Sequence, residues 1–276
     1  MEFSYYVFFP VRDGEKTIRK VMESLINQSI KPKKIMVVED GSRDKTSEIL
    51  EEFEKKFPEL IRIEHTDSKT RDFKRIPKLW NICLDEKYDF HMIAAGDCIF
   101  ANNYAEKILQ KFSTDPKLII ASGDFGRKKT KAPHGAGRFV RQSWFFQNYE
   151  KYYEKIGYES EILQRVLFQN YHLAVLHDVN FEHVDELGHS HNFSEFGQGM
   201  KALGYHPLYV IGRCCSQFFG SKEINKKGVL NMLWKYLSFR PMEDGYYSQW
   251  PKEIRQQIRK NQLKTIKNYL KKNKSK

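Results

Sequence analysis

The chain has 276 residues, of which 40% are hydrophobic and 14% aromatic, so it can bury one sizeable core. Its four cysteines show neither a CxxC pair nor even spacing, and no run approaches the ~20 apolar residues of a membrane span, which argues against a disulfide framework, a zinc site and a transmembrane class. The formal charge of +12 is concentrated at the C-terminus, where residues 222–276 carry 15 Lys and Arg against 4 Asp and Glu. Because the first residues also lack the features of a secretory signal, we expect a cytoplasmic protein.

The N-terminal part of the chain alternates between patterns typical of strands and of helices. Apolar or alternating runs predict strands and helically spaced apolar residues predict helices, in the order 5–9 (strand), 17–26 (helix), 35–38 (strand), 49–57 (helix) and 61–65 (strand). This β-α-β-α-β order indicates an α/β fold. We therefore expect a mainly parallel central sheet with helices on both faces.

The middle of the chain continues this pattern and then loses it. The segment 69–84 is basic at its start and is predicted to be helical at its end, with Pro77 near the first turn. Further elements are predicted at 88–95 (strand), 104–112 (helix) and 118–122 (strand). From Gly123 to Tyr158 the periodicity fades, which predicts a long loop followed by an aromatic-rich helix. Beyond it we predict a strand at 173–176, a polar loop at 181–192, a helix at 193–203 and a last strand at 208–211.

Residues 222–276 differ in composition from the rest and are predicted to form a basic, aromatic, helical extension with helices at 229–239 and 251–272. The lysines either form a solvated face of an extension packed on the core, or they make peripheral contact with the cytoplasmic face of an anionic membrane. No recognition motif for nucleic acid accompanies the charge, so no nucleic acid is expected as a partner.

Carboxylates stand where two of the predicted strands end. Glu39 and Asp40 follow the run 35–38 and precede Gly41, and Asp97 follows the strand 88–95 and Gly96. Open α/β sheets bind ligands outside the carboxyl ends of their strands, so these positions predict a ligand site. The alternative for both aspartates is a local role in a turn or a helix cap.

Three motifs together resemble a known family. The stretches FFPVRDGEKTI, VVEDGSRDKT and MIAAGDCIFANNY are similar to those of the inverting glycosyltransferases of family 2, over about residues 3–211, with Glu39 in place of the family's first Asp. The resemblance implies the GT-A (Rossmann-like) fold and transfer of a sugar from a nucleotide-diphosphate donor, with a UDP-sugar favoured and a GDP-sugar as the alternative. The acceptor would be a hydroxyl of a glycan, a lipid-linked or a protein-linked molecule. The catalytic domain would be 1–221, with a donor half at 1–122 and an acceptor half at 123–221.

The resemblance also implies roles for individual residues. Asp40, supported by Glu39, would accept hydrogen bonds from the base or ribose of the donor, because a carboxylate at this point provides charge-assisted bonds. The other residues expected to contact the donor are Pro10, Val11, Arg12, Gly41, Arg75, Lys78 and Gly96. For the basic residues, a solvated helix entrance is the alternative.

The metal motif is incomplete in this chain. The family's Asp-x-Asp reads Ala95-Gly96-Asp97, so the resemblance implies that Asp97 alone supplies a carboxylate to Mn²⁺ or Mg²⁺. Mg²⁺ sites commonly use one or two carboxylates, with phosphate oxygens and waters filling the shell. His189 and His191 could add a ligand, although a solvated loop is the more ordinary reading of two such histidines.

A base must take the proton of the acceptor hydroxyl in an inverting transfer. Counting back from Gly204-Tyr205 aligns Phe193 with the family's usual base and Glu195 with the second carboxylate of its pattern. Glu195 is therefore the first candidate, with Asp185, Glu186 and His191 as alternates. Glu195 near a helix start could instead serve only the helix dipole.

Two other functions fit the sequence less well. A catalytically degenerate GT-A module that binds a partner or a membrane would keep the fold after losing the first metal-binding carboxylate. A nucleotidyltransferase would need a glycine-rich phosphate loop, and Val11-Arg12-Asp13-Gly14 offers one glycine.

Overall fold

The computed structural model of the protein describes residues 3–69, 72–125, 132–184, 193–220 and 226–274. The chain divides into two compact units, Met1–Tyr153 with Arg165–Asp185 and Glu154–Gln164 with Glu186–Lys276. The predicted extension therefore belongs to a unit that begins before it. The functional division into 1–221 and 222–276 stays a prediction.

The first unit contains the sheet and the helices that cover it. Its strands are β1 (Tyr5–Val11), β2 (Ile35–Glu39), β3 (Ile61–His65), β4 (Phe90–Ile93), β5 (Cys98–Phe100), β6 (Leu118–Asp124), β7 (Arg138–Arg141) and β8 (His172–His183). Its helices are α1 (Ile18–Ile26), α2 (Thr46–Lys56), α3 (Ile76–Ile82, after a 3-10 turn at Phe73–Arg75), α4 (Tyr104–Thr114) and α5 (Gln142–Asn148), and α6 (Tyr158–Phe168) crosses from one unit to the other.

The eight strands form a sheet in the order β3-β2-β1-β4-β7-β6-β8-β5. The strands β1 to β4 are mutually parallel where they pair, β7 is antiparallel between β4 and β6, and β5 is antiparallel to β8. Because β7 is antiparallel to both β4 and β6, these two strands run in the same direction. Strand β8 pairs with β6 in parallel. The carboxyl ends of β1, β2, β4 and β6 consequently share one edge, and the predicted α/β fold with a mainly parallel sheet is confirmed.

Apolar residues on both faces of the central strands build the core. Tyr5 to Phe9 are at most 1% exposed, as expected for a strand covered by helices on both sides. The helix α1 buries Ile18, Val21, Met22 and Leu25 against the sheet at the spacing that the sequence indicated.

Several sequence predictions between residues 123 and 221 were wrong. The predicted last strand, 208–211, lies inside α8 (Pro207–Gly220), because a short apolar run is compatible with either element and here Pro207 starts a helix. The predicted long loop contains the start of β7, whose four residues pair with β4 and whose Phe139 and Val140 also pair with β6. The aromatic cluster after it is helical only as far as Asn148.

The second unit is helical. It contains α7 (Phe193–Ala202), α8, α9 (Lys226–Ser238) and α10 (Lys252–Lys274), so the two helices predicted in the extension are confirmed. The helices α7 and α9 approach closely at Gly197, where a Cβ atom would come within 2.2 Å of the Met232 carbonyl oxygen. Trp250 donates its indole N–H to the Ile156 carbonyl at 2.8 Å. Within the described residues, every helix is too short or too polar to cross a bilayer.

His91 makes the stability of the first unit sensitive to acid. It is 0% exposed, its Nε2 lies 2.7 Å from Tyr152 Oη, and burial lowers its pKa from 6.5 to about 3, with a smaller contribution from Arg138. The unfolded chain therefore binds a proton near pH 6.5 that the folded chain excludes until about pH 3, so stability is lost as the pH falls through this interval. Between pH 6.5 and pH 5 this costs about 2 kcal/mol, at about 1.4 kcal/mol per pH unit.

We expect His91→Gln to flatten this dependence, because glutamine does not titrate. Urea unfolding of both proteins at several pH values between 7 and 5 measures the slope. An unchanged slope in the variant would assign the acid sensitivity to other groups.

Candidate active site

Asp40 lies just beyond the carboxyl end of β2, beside the end of β1. Its backbone N–H donates to the Val11 carbonyl at 2.9 Å, and its side chain is mostly buried. Its Oδ1 accepts hydrogen bonds from Thr66 Oγ1 at 2.7 Å and from Arg75 Nη2 at 2.8 Å. Both bonds use one oxygen, and within the described residues Oδ2 accepts none. Asp40 is thus held in place with one carboxylate oxygen available to a ligand.

Glu39 and Gly41 shape the turn around Asp40. Glu39 Oε1 accepts the Ser42 backbone N–H at 2.6 Å, and its Oε2 lies 3.6 Å from His65 Nδ1. Gly41 has φ +71°, and a Cβ atom there would come within 2.6 Å of the Ser68 carbonyl oxygen. Only glycine fits this close approach in the left-handed region. Glu39 therefore stabilises the turn that presents Asp40.

The ends of β1 and β4 meet at Val11 and Gly96. A Cβ atom at position 96 would lie 2.6 Å from Val11 Cγ2, and Thr17 Oγ1 donates to the Gly96 carbonyl at 2.6 Å. Pro10 pairs with Val38 in the β1–β2 register, and Arg12 Nη1 donates to the Asp40 and Ser68 carbonyls, each at 3.2 Å. The predicted donor residues of these three strand ends are therefore brought together at one edge.

Asp97, just before β5, lies close to His183 at the end of β8. Strand β5 pairs with β8 so that Cys98 is opposite His183, and the Val184 N–H donates to the Asp97 carbonyl at 2.9 Å. This register places Asp97 Oδ2 3.5 Å from His183 Nε2. Ligand atoms of Asp97, Cys98 and His183 all lie within 4.8 Å of one another.

The donor set suits a divalent cation that accepts carboxylate oxygen and imidazole nitrogen. Carboxylates suit Mg²⁺ and Mn²⁺, and neutral imidazole is a common metal ligand. The buried Cys98 thiol directs its S–H toward Asp97 Oδ1 at 3.6 Å. This contact helps to orient the carboxylate. Asp97 and His183 therefore fit a metal ion, and His183 would supply a second ligand where the sequence motif lacks its first carboxylate.

The remaining predicted residues are placed differently. Arg75 joins Asp40, while Lys78 is an exposed residue of α3. Glu195 is a half-buried residue in the first turn of α7, in the second unit. Asp185, Glu186, His189 and His191 lie outside the described residues.

Sequence reasoning missed His183 because it was assigned to a polar loop. In β8, buried and exposed residues alternate toward His183. This alternation was the sequence signal that could have placed His183 in a strand. Its proximity to Asp97 depends on the pairing of β5 with β8.

Solved structures with the same fold are glycosyltransferases. TarS from S. aureus superposes with a TM-score of 0.55 at 14% identity over 85% of this chain, which spans 43% of that TarS chain. The mannosyltransferase PcManGT from Pyrobaculum calidifontis, in complex with GDP-Man and Mn²⁺, superposes with a TM-score of 0.59 at 12% identity over 86% of this chain and 71% of its own. A TarS structure in complex with UDP-GlcNAc gives 0.53 at 16% identity, covering 85% of this chain and 71% of its own. At these identities the similarity shows the fold.

A search of curated protein sequences returned no significant match. The family described as Glycosyl transferase family 2 matches residues 6–172, more than half of the chain. The strand-end motifs that form the site lie within this range. The chain belongs to glycosyl transferase family 2.

Proposed function

We propose that this protein transfers a sugar from a nucleotide-diphosphate donor, UDP-sugar in preference to GDP-sugar, to a hydroxyl of a glycan, lipid-linked or protein-linked acceptor. One observation carries the proposal. The same edge of the sheet presents Asp40, a carboxylate held by Arg75, and the two residues that fit a metal ion, Asp97 and His183. The TarS and PcManGT complexes, which hold UDP-GlcNAc and GDP-Man, support this donor class. Transfer would occur by a single displacement that inverts the anomeric carbon.

The nucleoside end of the site lies at Asp40. Its Oδ2 can accept an N–H of the base or a ribose hydroxyl, with the strength of a charge-assisted bond. The Nε of Arg75 is buried and has no partner within the described residues, so a donor remains available beside the same carboxylate. These unused polar atoms fit a polar ligand, because buried polar groups are normally hydrogen-bonded.

The diphosphate end lies at Asp97 and His183. A bound Mn²⁺ or Mg²⁺ supplies positive charge that stabilises the departing diphosphate. Asp97 and His183 would hold the ion, and the Cys98 S–H keeps the Asp97 carboxylate oriented. Lys78 and Arg75 add positive charge on the α3 side, where they would attract the phosphates.

The reaction also requires a group that takes the acceptor's proton. Glu195 remains the candidate from the sequence, with Asp185 and His191 as alternates. The variant Glu195→Gln tests this role, because removal of a general base lowers turnover by about 100-fold or more. Retained turnover would remove Glu195 from this role.

A panel of UDP- and GDP-sugars with and without Mn²⁺ tests the function. Calorimetry is expected to show metal-dependent binding of UDP or GDP, and donor hydrolysis or transfer is expected with at least one sugar. A degenerate module would show no metal-dependent nucleotide affinity, and absence of both binding and turnover across the panel would contradict the proposal.

We further propose that the basic C-terminal region makes peripheral contact with an anionic membrane, which would suit a lipid-linked acceptor. On α9, Leu230, Trp234 and Leu237 are 56%, 65% and 57% exposed and share one face, while Val229, Met232 and Tyr236 are buried on the other. Tryptophan favours the interface, and each basic residue near the lipid adds about 1 kcal/mol.

Vesicle sedimentation tests this contact. We expect binding to vesicles that contain phosphatidylserine and much weaker binding to phosphatidylcholine alone, with a roughly tenfold loss for the Leu230→Ser, Trp234→Ser double variant. Met242→Ser is the matched control, since Met242 is 58% exposed outside the helix. Equal binding by wild type and double variant would exclude this face as the contact.

A further inference from the structure

The carboxyl end of β6 carries a buried carboxylate between two imidazole rings, a group that the donor site does not use. Asp124 is the last residue of β6 and is 3% exposed. Its Oδ2 lies 2.6 Å from His177 Nδ1, and its Oδ1 lies 3.3 Å from His134 Nε2. One carboxylate therefore holds both rings, one through each oxygen.

A bulge in β8 brings His177 to Asp124. Gly123 pairs with Leu176, but Asp124 pairs with Asn180, so residues 177–179 of β8 fall outside the register. The bulge packs against β6 because position 123 is glycine: a Cβ atom there would come within 2.2 Å of the Val179 carbonyl oxygen. Bulges of this kind redirect side chains and are frequent beside active sites.

Asp124 lies on the edge that carries the donor site. Strand β6 runs parallel to β4, so their carboxyl ends face the same way, and two strand spacings of about 4.8 Å separate them. Ring contacts connect the two groups. The His134 ring lies 4.4 Å from Phe125, and Phe125 lies 6.2 Å from His183, the residue beside Asp97. The Asp124 cluster therefore lies next to the metal-binding pair, on the side away from Asp40.

The bond to Asp124 determines which nitrogen of His177 is presented to a substrate. An ionised carboxylate only accepts hydrogen bonds, so Nδ1 of His177 must carry the shared proton and Nε2 of the neutral ring holds a lone pair. Burial opposes ionisation of Asp124, but the His177 hydrogen bond and the nearby His134 outweigh it and lower the pKa of the carboxyl. The side chain of His177 is 34% exposed, so its ring is accessible.

Other charged groups near this cluster contact His134 or Asp178, the neighbour of His177 in the chain. Burial lowers the pKa of His134, which favours its neutral form, and the buried Arg138 donates Nε to the His134 carbonyl at 2.9 Å. On the other side, Lys107 Nζ lies 4.0 Å from Asp178 Oδ2, and Asp178 is 82% exposed. Asp124 is therefore the carboxylate that orients His177, as in other carboxylate–histidine pairs.

We propose that His177, oriented by Asp124, takes the proton from the acceptor hydroxyl, an inference that rests on the proposed function. The Nε2 lone pair receives the proton as the hydroxyl oxygen bonds to the anomeric carbon. The bond from that carbon to the diphosphate breaks, and its electron pair leaves with the diphosphate. Asp124 acts as a positioning residue. His177 would then perform the role that the sequence assigned to Glu195.

The pH dependence of donor hydrolysis, with water as the acceptor, tests this role. For the UDP- or GDP-sugar that the wild type hydrolyses fastest with Mn²⁺, we expect kcat to fall on acidification, because a general base acts only in its unprotonated form. His177→Gln is expected to lower kcat about 100-fold or more and to remove this acid limb, with the dissociation constant of UDP and Mn²⁺ unchanged. Asp124→Asn is expected to lower kcat as well.

His172→Gln is the matched control. His172 is on the same strand and its Nδ1 lies 2.8 Å from Asp115 Oδ2, but at the amino end of β8. Unchanged kcat in His177→Gln, or an acid limb that Glu195→Gln removes instead, overturns the inference. Nucleotide binding, and so the proposed function, would remain intact in either case. Nitrogen NMR of the wild type gives a readout without turnover, because a proton on Nε2 of the neutral His177 ring would also overturn the inference.

Discussion

Asp97→Ala is expected to reduce metal-dependent turnover by about 1000-fold, or about 4 kcal/mol of transition-state stabilisation. The side chain is the one carboxylate in the cluster with His183 and Cys98, so its loss removes the main anionic ligand. Turnover with the best donor, measured over a range of Mn²⁺ concentrations, tests this. Asp115→Ala is the control, because Asp115 also pairs with a histidine, His172, but at the other edge of the sheet. Unchanged rates in Asp97→Ala would move the metal site elsewhere.

His183 separates two explanations for the incomplete metal motif. If His183 is a ligand, His183→Ala weakens Mn²⁺ affinity by about 10- to 100-fold, and excess Mn²⁺ restores part of the turnover. If Asp97 acts alone, the Mn²⁺ dependence of the variant matches the wild type. The same titration thus shows whether the histidine compensates for the missing first carboxylate.

Asp40→Asn is expected to weaken binding of UDP by about 10- to 100-fold, since a hydrogen bond to a charged group contributes about 1.5–3 kcal/mol. The amide keeps the size of the side chain and can still accept from Thr66, but it loses the charge that faces Arg75. Because the nucleoside does not change during transfer, the effect should appear in donor affinity and KM and not in kcat at saturation.

Calorimetry with UDP and Mn²⁺ measures this change, and Asp115→Asn serves as the control. A lowered melting temperature in Asp40→Asn would show that the pair with Arg75 also supports the fold. Wild-type affinity in the variant would contradict the assignment of Asp40 to the nucleoside.

The resemblance to family 2 rested on motifs that are local in the sequence, and the family match confirmed it. The buried run before Asp40 and the helical stripe of α1 were predictable, because each is a continuous pattern with clear ends at glycine or proline. The run at 208–211 was not, because four apolar residues fit a strand or a helix equally well. The strand β7 escaped detection since its two arginines hide a pattern that only pairing with β4 and β6 makes meaningful.

The sequence by itself determined the fold class and the position of the candidate-site carboxylates at the ends of strands, because a strand end is a local feature of the chain. The tertiary structure decided which residues accompany them. His183 reaches Asp97 through the register of β5 with β8, and His177 reaches Asp124 through a bulge in β8. Both contacts join residues far apart in the chain, and strand register depends on packing across the whole sheet, which no local pattern records.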